Sequence, residues 1–364
     1  MSYLNRVNAM LEQIRRDERY RELPQQQLSA VLDFSSNDYL GLATEPQVLE
    51  ALKRATRAGS GGARLLGGRH REHALLEEEI ALWLGRERAL LFSSGYHAAI
   101  GAIPVLAQTI EMIRSDRANH ASLIDGIRLA RPPCTIYEHG TIPSNTGQPA
   151  MIVSESLFSM DGDAIDPAAL LEAAPADGIL FLDEAHALGV VGADGAGLAR
   201  ALNDPRVIVL GTLSKALGTH GGFVAAPAAV IELLVNRARS FIFDTALPPA
   251  LVLAARIALH LARRADDRRS RIQANAARLC GGLRAIGLTV PDCAGAIVSL
   301  VLGSEARALR VCEQLLEQRI FAPAIRPPTV SPGTSRLRFS IRADHTAEQI
   351  DLVLEQLRRC TATS

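Results

Sequence analysis

Val207-Ile208-Val209-Leu210-Gly211-Thr212-Leu213-Ser214-Lys215-Ala216-Leu217-Gly218 is the stretch whose reading fixes both fold class and chemistry. Four consecutive apolar residues read as a strand buried on both faces, the habit of parallel sheets covered by helices. The run empties into a glycine-bounded loop that carries two hydroxyls and a lysine. Only two of the 39 Lys plus Arg residues are lysines, Lys53 and Lys215. Arginine keeps its proton and cannot condense with an aldehyde, whereas a desolvated lysine amine loses its proton readily and can. Lys53, in Ala51-Leu52-Lys53-Arg54-Ala55, reads as an exposed helix position. Lys215 is therefore the candidate reactive amine.

Other apolar runs end in the same manner. Gly178-Ile179-Leu180-Phe181-Leu182 ends at Asp183, Met151-Ile152-Val153 leads to Ser154-Glu155, and Met112-Ile113 leads to an Asp-containing turn. Ala89-Leu90-Leu91-Phe92 leads to Ser93-Ser94-Gly95-Tyr96-His97, which opens a helix. Such strands alternating with helices predict an α/β fold with a mainly parallel sheet and a ligand site at the strands' carboxyl ends. After about residue 250 the pattern changes to long helices and amphipathic strands at 296–302 and 336–341, a smaller α+β domain. Residues 3 to about 22 carry Leu4, Val7, Met10, Leu11 and Ile14 at helical spacing, an amphipathic arm. The expected division is an arm at 1–35, a large domain at 36–249 and a small domain at 250–364.

A length of 364 residues and a hydrophobic content of 48% suit two packed domains. The formal net charge is zero, which argues against a broad nucleic-acid or anionic-membrane surface. The arginine clusters at 263–264 and 268–271 alternate with Asp266 and Asp267 and read as a solvated helix face. Cys134, Cys280, Cys293, Cys312 and Cys360 include no CxxC pair, which points to reduced thiols in a cytoplasmic protein. No signal peptide is read at the N-terminus. The apolar stretch 247–262 holds two prolines, Arg256 and His260, a core helix rather than a membrane span.

Four strand ends offer chemistry. Lys215 supplies an amine. Asp183, at the end of a buried strand, is costly without a cationic partner, and a protonated pyridine nitrogen would be one; His186 follows three positions later. A metal reading of Asp183, Glu184 and His186 lacks further ligands at usual spacings. Ser94-Gly95-Tyr96 opens a helix whose free N–H groups suit a phosphate, with Thr212 and Ser214 able to complete the cup. His120, in Asn119-His120-Ala121-Ser122, can stack on a flat heterocycle. Together these parts describe pyridoxal 5′-phosphate. A Rossmann dehydrogenase fits less well, since Gly59-Ser60-Gly61-Gly62 follows no strand.

Six ordered segments then resemble the α-oxoamine synthases, fold-type I pyridoxal-phosphate enzymes that join an amino acid to an acyl thioester with loss of CO2. They are 33–42 (DFSSNDYLGL), 59–64 (GSGGAR), 119–122 (NHAS), 158–163 (FSMDGD), 183–186 (DEAH) and 211–215 (GTLSK). The resemblance spans nearly the whole chain and implies a fold-type I transferase with a smaller C-terminal α+β domain. It implies that Lys215 holds the cofactor, Asp183 pairs with its ring nitrogen, His186 reaches the ring oxygen and His120 stacks over the ring. Gly95, Tyr96, Ser159 and Thr212 would line the cofactor. Asn37, Arg21 and Thr329 would contact substrate, and Arg338 would hold the amino-acid carboxylate through its planar fork.

Segments 245–249 (TALPP) and 324–330 (AIRPPTV) are most similar to the family members that condense L-alanine with a pimeloyl thioester in biotin biosynthesis. The thioester carrier is coenzyme A or acyl carrier protein. The glycine-using acyltransferases, 2-amino-3-ketobutyrate ligase and 5-aminolevulinate synthase, are less similar there and form the alternative. The resemblance further implies a homodimer with shared active sites, Thr245 reaching the other subunit's cofactor phosphate. The chain departs from the family in a shorter stretch between Tyr137 and Met151, a shorter link before Leu32, and Ala187 where glycine is common.

Overall fold

The computed structural model describes residues 2–17, 19–21, 31–145 and 147–362. The chain opens with α1 (Tyr3–Arg16), capped by Ser2, whose hydroxyl accepts from the Asn5 N–H at 3.2 Å. The helix ends short of residue 22, and none of its residues is buried, so Tyr3, Leu4, Val7, Met10 and Ile14 face outward. Of the expected arm, residues 1, 18 and 22–30 lie outside the described residues. There follow β1 (Leu32–Asp33), α2 (Pro46–Lys53), α3 (Arg71–Leu84), β2 (Arg88–Phe92), α4 (Gly95–Leu106), β3 (Met112–Asp116), α5 (Ala121–Ala130), β4 (Cys134–Tyr137) and β5 (Ala150–Glu155). Next come α6 (Pro167–Ala173), β6 (Ile179–Asp183), β7 (Val207–Thr212), β8 (Gly222–Ala226), α7 (Ala228–Arg237), α8 (Arg239–Ile242) and α9 (Pro249–Arg263). The C-terminal part holds α10 (Asp266–Ala285), β9 (Ile297–Gly303), α11 (Glu305–Glu317), β10 (Ile320–Phe321), β11 (Ala324–Ile325), β12 (Ser335–Ser340) and α12 (Ala347–Ala362).

A seven-stranded sheet in the order β2-β8-β7-β6-β5-β3-β4 forms the centre. From β7 to β4 every pairing is parallel, and β8 runs antiparallel to both its neighbours. Residues alternate between two cores. Ile152, Leu180, Leu182, Val207 and Val209 enter one cluster, while Met151, Val153, Phe181, Ile208 and Leu210 enter the other. Full burial of each such side chain contributes about 1.5–3 kcal/mol, which explains runs with no polar alternation. Sequence reading located β2, β3, β5, β6 and β7 but not β4 or β8.

The C-terminal part has its own antiparallel sheet, β11-β12-β9. A parallel pair, β1 with β10, draws residues 32–33 to that part of the molecule. Phe34 N–H donates to the Phe321 carbonyl at 2.8 Å, and Ser340 N–H donates to the Phe34 carbonyl at 2.7 Å. This places the segment after Phe34 beside the end of β12. The helix α9 packs on α2 and α3, against the large sheet's layer. No helix among the described residues is long and apolar enough to cross a membrane.

Candidate active site

Glu155, Asp183 and Thr212 end three adjacent parallel strands, so their side chains meet at one edge of the sheet. The loop after β7 turns back at once: Gly218 N–H donates to the Lys215 carbonyl at 2.8 Å, and Thr219 N–H to the Leu213 carbonyl at 2.9 Å. That turn carries Lys215 over the strand ends, where Nζ lies 2.9 Å from His186 Nε2. Lys53, in contrast, is exposed on α2 beside Glu50.

His186 Nδ1 meets the Tyr39 hydroxyl at 2.7 Å, and Tyr39 Oη lies 3.1 Å from Asn37 Oδ1. Asn37 Oδ1 also accepts from both terminal nitrogens of Arg338, each at 3.1 Å. The Tyr39 proton therefore points to Asn37, His186 donates from Nδ1, and Nε2 is left to accept from Lys215. Arg338 Nε donates to the Ser159 carbonyl at 2.5 Å and its Nη1 to Ser340 Oγ at 3.0 Å. A guanidinium on β12 thus spans the small sheet and the loop after β5.

Burial depresses the proton affinity of Lys215 and lowers His186 well below the usual histidine range. Both effects favour a neutral amine beside a neutral imidazole. Asp183 is 5 % exposed and accepts from the Ala185 N–H at 2.8 Å. Burial raises its pKa, with the Lys215 charge opposing. A carboxyl pushed toward neutrality is the mark of a buried acid awaiting a cation, and a protonated ring nitrogen would supply one. His120 is exposed, its backbone N–H bound to Glu155 Oε1 at 2.7 Å and its Nδ1 2.8 Å from Ser122 Oγ. Its open ring can cover a flat heterocycle. Partial desolvation lowers its pKa, with the Asp183 charge opposing.

The start of α4 is built tightly against the neighbouring strands. Ser94 caps the helix by accepting from His97 N–H at 3.1 Å. A Cβ on Gly95 would sit 3.4 Å from Thr212 Cβ, and one on Gly222 would sit 2.3 Å from the Gly95 nitrogen. Thr212 Oγ1 lies 2.8 Å from Ser214 Oγ. Free N–H groups of α4 thus stand beside two hydroxyls, a donor set that fits a phosphate. Tyr96 is exposed and its hydroxyl donates to Asp125. These features fit pyridoxal phosphate at both its ends.

The fold therefore gathers Asn37, Gly95, His120, Ser159, Asp183, His186, Thr212, Lys215 and Arg338 around one sheet edge. It does not gather all candidates. Arg21 and Thr329 are exposed, and no described contact ties either to these residues. Thr245 is also exposed, bridged to Ala63 beside the Gly-rich segment. Tyr39, Ser340, Gly222 and Glu155 were missed as site components. Tyr39 lay inside a motif already quoted, but its bond to His186 joins residues 147 positions apart.

A family model described as aminotransferase class I and II matches residues 29–357. The 8-amino-7-oxononanoate synthase of Anaeromyxobacter dehalogenans is 45% identical over 341 residues, 90% of this chain and 86% of that protein. Its counterpart from Thioalkalivibrio sulfidiphilus is 41% identical over 357 residues, 93% of this chain and 91% of that protein. Among solved structures, Sphingomonas wittichii serine palmitoyltransferase superposes with a TM-score of 0.90 at 26% identity, covering 100% of this chain and 99% of the other. The Francisella tularensis 8-amino-7-oxononanoate synthase gives 0.79 at 28% identity, covering 92% and 98%. The chain belongs to the aminotransferase class I and II family and, within it, to the α-oxoamine synthases.

Proposed function

We propose that this chain condenses L-alanine with a pimeloyl thioester, releasing CO2 and free thiol and forming 8-amino-7-oxononanoate for biotin biosynthesis. The observation that carries this reading is identity of 40–45% with 8-amino-7-oxononanoate synthases over at least 88% of the chain. The serine palmitoyltransferase structures superpose closely at 26–30% identity, below the 40–45% of the curated synthases, a match of fold more than of substrate.

Pyridoxal phosphate, when bound, supplies an electron-withdrawing ring that stabilises charge at the amino acid's α-carbon. Asp183 would keep that ring's nitrogen protonated, and the α4 N-terminus with Thr212 and Ser214 would hold its phosphate. Lys215 Nζ, whose charge burial disfavours, removes the alanine α-proton. Its hydrogen bond to His186 Nε2 fixes the direction from which Nζ approaches. Arg338 orients the alanine carboxylate, with Asn37 and Tyr39 steadying its fork. Thr329 and Arg21 are proposed contacts of the acyl thioester, carried by coenzyme A or acyl carrier protein.

The working unit we propose is a cytoplasmic homodimer with shared sites. The unburied apolar face of α1, the exposed Leu65, Leu66 and Phe243, and exposed Thr245 support it. All five cysteines are free, which suits a reducing compartment. Purified protein with pyridoxal phosphate should release thiol and CO2 from L-alanine plus pimeloyl thioester. Turnover only with glycine plus acetyl- or succinyl-CoA, or with serine plus palmitoyl-CoA, would refute the reading. Sedimentation at micromolar concentration tests the dimer, and a fully active monomer would exclude it.

A further inference from the structure

Three acids end three neighbouring parallel strands at the site: Asp116 on β3, Glu155 on β5 and Asp183 on β6. All three are buried, at 1%, 2% and 5% exposure. Glu155 and Asp183 stand opposite each other in register, so their side chains leave the same face of the sheet on adjacent strands. Cations for this row are few. Asp116 has His139, whose Nδ1 lies 3.1 Å away and whose Nε2 lies 3.0 Å from Asp163. Those two carboxylates hold His139 protonated up to about 10. Asp183 is the proposed partner that would pair with the cofactor's ring nitrogen. Arg338 is taken up by Asn37, Ser159 and Ser340. Lys215 is the remaining amine, and it is directed at His186. Among the described residues Glu155 makes no ion pair, yet it is not idle, because Oε1 accepts the backbone N–H of His120.

We propose that Glu155 is a positioning residue that works as a neutral carboxylic acid. It holds the His120 backbone through Oε1 and leaves the negative charge at this edge of the sheet to Asp183. Two opposed carboxylates in a low-dielectric site cannot both stay charged beside a single cation, so one keeps a proton. Asp183 is the one that a protonated ring would draw into its charged form. The charged groups that act on Glu155 are Asp183, Lys215 and Asp116, His120 reaches it only through its backbone N–H, and burial is the largest cause of its raised pKa, about 8. The acid is neutral below that value and becomes a second anion beside Asp183 as pH rises through it. The inference rests on the cofactor site proposed above.

Its test begins on the cofactor-free protein, where carbon-13 labelling of glutamate carboxyls reads the proton directly. Wild type should show two late-titrating glutamates, Glu155 near 8 and the buried Glu184 near 7, and Glu155→Gln should remove the later one. A wild-type protein in which every glutamate titrates below about 5.5 overturns the proposal without any variant. Pyridoxal phosphate affinity supplies a second readout. Glu155→Ala, which drops the His120 contact, should weaken binding roughly tenfold, and Glu155→Gln should restore it to within about threefold of wild type. Failure of glutamine to rescue would mean that a charged carboxylate is needed, and the proposal falls. Wild-type protein that binds no pyridoxal phosphate would refute the proposed function instead, leaving the carbon titration to be judged separately.

Discussion

Lys215 Nζ and His186 Nε2 lie 2.9 Å apart, and His186 is held from its other nitrogen by Tyr39 at 2.7 Å. A half-buried amine with a depressed proton affinity therefore faces a fixed acceptor. The tyrosine in turn connects it to Asn37 and Arg338, the proposed anchor of the substrate carboxylate.

Lys215→Arg should fold yet lose both lysine-bound cofactor absorbance and turnover, since guanidinium neither condenses with an aldehyde nor gives up its proton. Loss of the base alone predicts a fall of roughly 10²- to 10⁴-fold in kcat. Absorbance and α-proton exchange with deuterated alanine check it. Exchange at the wild-type rate would remove Lys215 from the mechanism.

Arg338→Lys keeps the charge but not the fork that engages Asn37, Ser159 and Ser340. The KM for alanine should rise about 10- to 100-fold, the worth of a charge-assisted bidentate contact. Cofactor absorbance should persist. An unchanged KM would show that the carboxylate binds elsewhere.

Gly222→Ala probes the phosphate end from behind. The added methyl would lie 2.3 Å from the Gly95 nitrogen and 2.4 Å from the Ser94 carbonyl carbon, so the backbone at the start of α4 must move. Overpacking of about 1–3 kcal/mol should lower pyridoxal phosphate affinity roughly tenfold or more. Gly281→Ala in α10 is the control, because its methyl meets nothing within 4 Å. Equal affinities in the two variants would separate Gly222 from the phosphate site.

His139 joins Asp116, at the end of β3, to Asp163 in the loop that follows Ser159. Its two carboxylate hydrogen bonds raise its pKa to about 10. A raised histidine contributes its full stability below about 6.5 and loses it as pH rises through the folded value. His139→Ala should cost about 3 kcal/mol near neutrality by leaving two carboxylates without their cation. Urea unfolding should show wild type and variant converging above pH about 10. A difference independent of pH would assign His139 a packing role only.

The sequence by itself determined the strands that are buried on both faces and the chemistry at their ends. Val207–Leu210 before Lys215, and Ile179–Leu182 before Asp183, combine two local signals: an unbroken apolar run and the polar residue that stops it. Such signals need no knowledge of neighbours. The family resemblance likewise marked Asn37, His120 and Arg338 as candidates.

Only the tertiary structure decided how these pieces meet. It inserted antiparallel β8 between β2 and β7, a five-residue strand whose pairing partners lie elsewhere in the chain. It set Glu155 opposite Asp183, a matter of register that no single strand encodes. It also brought Arg338 to Asn37 across 301 positions, through the pairing of β1 with β10 and the Phe34–Ser340 bond. Exposed Arg21 and Thr329 make no described contact with the gathered residues, and Thr245 is expected at the other subunit's site. Strand identity follows from each residue's own preference for burial. Register, strand order and the charge balance of the site follow from contacts between residues far apart, which only the folded chain brings together.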